Sequence, residues 1–128
     1  MTADTVTLYG AEASGSVAVE ATLTLLAVPF KVIEGATWAS AAARKRVAAS
    51  NAMQQIPTLV LPSGETMTES AAILVYLADH YPSARLAPAS NDPARRQYLR
   101  WMFFVSSAIY ALHWIKAEIH EYILKNFR

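Results

Sequence analysis

The sequence predicts an α/β fold, a small mixed sheet packed by helices, followed by a long helix that begins a second, all-α domain. Three patterns carry this expectation. Strand-like runs at Thr5–Tyr9 and Phe30–Glu34 bracket a helical pattern, a strand–helix–strand unit whose two strands run parallel. Thr58–Leu61 and Thr66–Thr68 flank the turn residues Pro62-Ser63-Gly64-Glu65, as the two arms of a hairpin do. Beyond Pro82 the chain turns into a long, strongly apolar helical stretch.

The first unit follows in order. Residues 1–4 read as a loose terminus, and Thr5–Tyr9 alternates polar with apolar side chains. Small residues fill the loop from Gly10 to Gly15. A helix over 16–26 comes next, with Val17, Ala21 and Leu25 expected on its inner face, and Val28-Pro29 closes it. After the second strand, Gly35 to Ser50 is Ala-rich and predicts an exposed helix; its Arg44-Lys45-Arg46 triplet reads as a solvated face. Pro57 opens the third strand, a boundary position where a missing N–H costs the ladder nothing. Glu69-Ser70 starts a helix from Ala71 to about Tyr81, with Ile73, Leu74, Leu77 and Tyr81 at helical spacing and Pro82 as its stop. This order of elements is that of the thioredoxin-like fold, expected over 1–81.

Residues 82–91 carry two prolines and no periodicity, and read as a linker. Over 92–128, Asp92 can cap a helix with Pro93 in its first turn, running to about Ile123. Leu99, Met102, Phe103, Ser106, Ile109, Tyr110 and His113 form one stripe; Trp101, Phe104, Val105, Leu112, Ile115 and Ile119 fill much of the rest. A helix apolar on so much of its circumference is expected to be covered on several sides. Trp101, Phe104 and Trp114 therefore predict a homodimer at least.

Composition excludes several classes. At 128 residues the chain can bury one core and hardly two. A net charge of +1 offers no field for nucleic acid or an acidic membrane. Hydrophobic residues make up 54%, yet no uncharged apolar run reaches the roughly 18–20 residues of a membrane span. There is no cysteine, which removes disulfides, thiolate metal sites and dithiol redox chemistry from this chain. No basic stretch with an apolar core opens the sequence, so a cytoplasmic location is the expectation. His113 and His120 stand seven apart without an acidic or sulfur ligand set, and no metal is expected; His80 falls in the last turn of its helix, where a cation is favourable.

One stretch is more specific. Ile56, Pro57 and Leu59, then a hairpin, then Glu69-Ser70 opening a helix with Ala72, Ile73, Tyr76 and Leu77, occur in fixed order. This resembles the second half of the glutathione-binding domain of glutathione S-transferases, in bacterial members of the Ser/Cys type. The resemblance implies a detoxifying transferase that binds glutathione as co-substrate, stabilises its thiolate and passes it to an apolar electrophile. It implies Ile56 as a backbone clamp on the cysteinyl part, with Pro57 shaping the bend. Glu69 and Ser70 would hold the γ-glutamyl end, and Gln55 the glycyl carboxylate.

In such members the thiolate donor sits in the loop after the first strand, five places beyond an aromatic. Counting from Tyr9 gives Ser14, with Ser16 as the alternative donor. Read without the resemblance, Ser14 is an N-cap serine and Tyr9 a strand-end core residue. Tyr110 takes the place of a helix residue that faces the thiol in beta-type members; core packing reads as well. Asn51-Ala52-Met53-Gln54 departs from the Asn-Pro and Gly usual before the proline strand. Family members also continue for several helices beyond this chain's last. A non-catalytic glutathione-binding or protein-docking module with the same fold is the rival reading.

Overall fold

Strand β1 (Val6–Gly10) lies inside a four-stranded sheet of order β2-β1-β3-β4. The computed structural model describes residues 5–126; the expected loose terminus at 1–4 and the side chains of His113, Trp114 and Ala117 lie outside the described residues. Val6 and Leu8 are buried, whereas Thr7 and Tyr9 are half-buried, the period of two of a pleated strand. Helix α1 (Ser16–Leu25) crosses over to β2 (Phe30–Glu34), which pairs with β1 in parallel as the strand–helix–strand pattern predicts. Helix α2 (Ala41–Ala48) follows, its first turn capped by Ser40 Oγ accepting from the Ala43 amide at 3.1 Å.

Strand β3 (Thr58–Val60) returns antiparallel to β1, and β4 (Thr66–Thr68) antiparallel to β3. The register is Tyr9 opposite Thr58 and Thr58 opposite Thr68. One end of the sheet therefore gathers the end of β1, the start of β3 and the end of β4. The hairpin turn lies at the opposite end, where Gly64 takes φ +87°, a conformation glycine adopts without a Cβ penalty. Helix α3 (Ser70–His80) then packs against α1. Val6, Leu8, Val19, Leu23, Leu59, Ile73 and Leu77 form the core between them and the sheet.

The inner face of α1 differs from the expected one. Val17 is 48% and Leu25 74% exposed, while Val19 and Leu23 are fully buried and Leu26 packs against the core. Two apolar stripes interleave on this helix, and the pairing of Ser16 with the preceding loop fixes which one turns inward. The stop also differs. Ala27 takes φ 52°, the Ala27 amide bonds Thr24 O and the Val28 amide bonds Leu23 O. This is a Schellman closure, built on alanine in the position that usually holds glycine. Pro29 lies beyond a helix already ended.

The chain divides into two compact units, Met1–Ala87 and Pro88–Arg128. A short 3-10 turn over Pro82–Ala84 closes the first. In the second, α4 (Arg95–Phe104) and α5 (Tyr110–Asn126) flank a π-helical turn at Val105–Ile109, so the single predicted helix carries a wide turn. Asp92 bonds the Ala94 amide at 2.8 Å and acts just ahead of α4 rather than as its direct cap. Arg95 is buried, donating to Pro88 O at 2.9 Å and lying over the Tyr98 ring. Trp101, Phe104, Leu112, Ile115 and Ile119 are exposed on the single chain, so the cover expected of them does not come from the described residues. On α5, Lys125 pairs with Glu121 at 2.8 Å and holds that carboxyl below its ordinary range. Among the described residues no helix is long and apolar enough to cross a membrane.

Truncation separates the two faces of α1. Leu23→Ala should cost about 2–5 kcal/mol in urea unfolding, and Leu25→Ala should stay within about 0.5 kcal/mol. At the end of that helix, Ala27→Gly should raise stability by up to about 1 kcal/mol by relieving a left-handed alanine, read as a higher urea midpoint.

Candidate functional site

Three loops meet at the sheet end where Tyr9, Thr58 and Thr68 align. Adjacent strands are spaced about 4.8 Å apart, so β1, β3 and β4 set these loops across roughly 10 Å. That span matches an extended tripeptide, three residues reaching roughly 10–11 Å.

The first loop, after β1, holds both candidate serines. Ser14 is 8% exposed and Ser16 has no exposed surface. Ser14 Oγ donates to Ala11 O at 2.8 Å, accepts from the Ser16 amide at 3.2 Å and lies 2.8 Å from Ser16 Oγ. Ser16 Oγ accepts from the Ala11 amide at 3.0 Å and stands 3.1 Å from Ala11 O. Gly10 makes room for this packing, since a Cβ there would fall 2.5 Å from Ser16 Oγ. Ser14 thus closes the entry to α1, whose first amides and dipole are favourable for an anion. Tyr9 points to the other face, where its hydroxyl accepts from Ser50 at 3.2 Å.

The second loop precedes β3. Ile56-Pro57 is cis, Pro57 is buried and Ile56 half-buried. The neighbouring backbone is held by Asn51 and Thr58: Asn51 Nδ2 donates to Gln55 O at 3.1 Å and Thr58 Oγ1 at 3.1 Å, and Thr58 Oγ1 donates to Gln55 O at 2.8 Å. Asn51 Oδ1 accepts from the Met53 amide, so this buried amide group is used on both sides. The Gln55 side chain itself is exposed. Gln54 takes φ 55°, a left-handed conformation that favours glycine. Gly35 admits Ile56: a Cβ there would lie 3.1 Å from Ile56 Cγ2 and 2.9 Å from Val47 Cγ2.

The third loop is the entry to α3. Glu69 takes φ 67° and ψ 110°, a conformation that costs a non-glycine residue about 1–3 kcal/mol. Its side chain is exposed and does not cap the helix. The first helical bond runs from the Ile73 amide to Glu69 O at 3.0 Å, which leaves the first-turn amides without an intrahelical acceptor. Ser70 is the first helical residue and half-buried.

Ser14, Ser16, Gln55, Ile56, Pro57, Glu69 and Ser70 thus share one end of one sheet. Tyr110 belongs to the second unit, as the exposed first residue of α5. His80 stacks on Tyr76 with ring centroids 5.3 Å apart, and His120 is exposed. Among the described residues no group of three or more His, Asp or Glu side chains could hold a metal ion. Four site residues escaped the sequence reading: Gly10, Gly35, Asn51 and Thr58. A glycine directly after a strand was the available signal for the first two; Asn51 and Thr58 carry none, because their partner is a backbone carbonyl.

A thioredoxin-like domain with a peptide-sized row of polar and backbone groups along its sheet end is what these elements define. The family pattern described as "Glutathione S-transferase, N-terminal domain" matches residues 8–88, and the chain belongs to the glutathione S-transferase family. It is 31% identical over 104 residues to an uncharacterized GST-like protein, YncG, of Escherichia coli (strain K12), covering 80% of this chain and 50% of that one. Among solved structures it is similar to a glutathione transferase homolog from Sulfitobacter with bound glutathione, at 28% identity and a TM-score of 0.75 over 85% of this chain and 52% of that one. A sphingomonad glutathione S-transferase complexed with glutathione matches at 28% identity and a TM-score of 0.68, over 95% and 56% of the two chains. The chain therefore spans about half the length of these relatives.

Asn51→Ala removes both tethers that this side chain makes to Gln55 O and Thr58 Oγ1. It should cost about 1–3 kcal/mol in denaturant unfolding; a loss below that range would mean that Thr58 alone holds the loop.

Proposed function

We propose that this chain binds glutathione along the shared sheet end and stabilises its sulfur as a thiolate for transfer to an apolar electrophile. The alignment of Tyr9, Thr58 and Thr68 carries this reading, because it sets a hydroxyl loop, a backbone segment and a helix start at tripeptide spacing. Ile56 would pair through its backbone with the cysteinyl residue. Glu69 would meet the substrate ammonium, while the Ser70 hydroxyl and the first-turn amides of α3 would receive the γ-glutamyl carboxylate. Gln55, exposed beside them, would reach the glycyl end.

The chemistry follows from one requirement. A thiol with a pKa near 8.5 is mostly protonated at neutral pH, and only its anion is a strong nucleophile. A hydroxyl donor at Ser14 and the positive end of α1 both favour the anion. Catalysis would then consist of holding the thiolate in place and stabilising its charge. A docking module without turnover is the second reading, favoured by the exposed apolar side chains of α4 and α5, among them Trp101, Phe104, Ile115 and Ile119.

Titration calorimetry with glutathione tests the binding assignment. Glu69→Ala and Ser70→Ala should each weaken affinity about tenfold or more, the loss of a hydrogen bond to a charged group; unchanged affinity in both removes the assignment. Ser14→Ala should lower conjugation of an aryl halide while largely sparing affinity. Wild-type binding without any turnover would establish the module reading instead.

A further inference from the structure

Asn51 is 7% exposed and ties the end of α2 to the loop before β3. Its backbone amide donates to Val47 O at 2.8 Å, and its carbonyl receives the Gln54 amide at 2.9 Å. Its side chain receives the Met53 amide at 3.0 Å and donates to Gln55 O and Thr58 Oγ1, each at 3.1 Å. The directions of these bonds are fixed. A backbone amide only donates, so the side-chain oxygen faces Met53, and the nitrogen with its two protons faces Gln55 and Thr58. Thr58 Oγ1 receives one of those protons and gives its own to Gln55 O at 2.8 Å. The Gln55 carbonyl thus holds two donors, one for each lone pair.

We propose that Asn51 is a positioning residue which, with Thr58, sets the Ile56 amide toward the ligand by holding the Gln55 carbonyl inward. The inference rests on the glutathione reading above. Gln55 O and the Ile56 N–H belong to one planar trans peptide, and in such a unit the two groups point in opposite directions. The donors on Gln55 O come from buried side chains, so the Ile56 N–H is turned outward. Among the described residues neither the amide nor the carbonyl of Ile56 bonds another group. An extended peptide pairs by exchanging an N–H and a C=O with one residue, and Ile56 has both to give. Gln55 cannot serve in its place, because its carbonyl is filled. The pair of donors therefore selects one register for the cysteinyl residue of glutathione. Without them the peptide plane is free to rotate, and the Ile56 N–H turns with it.

The test is amide hydrogen exchange at Ile56 in the full chain, with and without saturating glutathione, alongside titration calorimetry. In wild type, glutathione should slow exchange at Ile56 about tenfold or more. Asn51→Asp keeps the oxygen that receives the Met53 amide and loses both donors. It should bind glutathione about tenfold more weakly, the loss of one hydrogen bond to the ligand. At saturation its Ile56 amide should gain little protection, while the amides of β1 exchange as in wild type. Thr58→Val should act in the same direction by a smaller factor, and it decides alone should Asn51→Asp fail to fold. Wild-type protection of Ile56 in a folded variant overturns the positioning role and leaves the glutathione reading standing. So does a variant in which the β1 amides lose as much protection as Ile56, since the role is then structural only. A wild type that binds no glutathione overturns both.

Discussion

The antiparallel return of β3 against β1, with Leu59 opposite Leu8 and Thr58 opposite Tyr9, is the constraint on which the first unit depends. Side chains alternate across a sheet, so a slip of one residue would exchange the two faces of β3. Leu59 would leave the core it shares with Leu8 and Ile73, and the Thr58 hydroxyl would leave Asn51 and the Gln55 carbonyl. Core packing and the geometry of the candidate site are thus satisfied by one register. Each protects the other.

Much of the fold was legible because each element carries its own period. Alternation marked β1, the turn at Pro62–Glu65 marked the hairpin, and Ile73, Leu77 and Tyr81 marked α3. Helix α1 was misread because Val17, Ala21, Leu25 and Val19, Leu23, Leu26 are both helical stripes, and periodicity alone does not rank them. Contacts outside the helix decide: Ser16 is tied to Ala11, and its neighbours turn with it. The end of α1 was hidden for a different reason. A left-handed alanine leaves no mark in the sequence when glycine is the residue expected there.

The candidate site was legible in its motif and opaque in its support. Ile56-Pro57 and Glu69-Ser70 stand out in the chain, whereas the groups packed around Ile56-Pro57 are a glycine, an asparagine and a threonine with ordinary neighbours. Gly35 and Gly10 act through the Cβ they lack, a property that becomes visible once Ile56 and Ser16 are seen beside them. The π-turn at Val105–Ile109 was likewise unreadable, since it depends on one residue more per turn and not on a change of composition.

Glu69 meets two demands with different atoms. Its backbone adopts a conformation that favours glycine, while its exposed side chain supplies a carboxylate at the start of α3. Replacement by glycine would relax the chain and discard the charge; glutamine would keep the strain and lose only the ionic part of any contact. With the binding role proposed for Glu69, thermal stability and ligand recognition pull in opposite directions at this position.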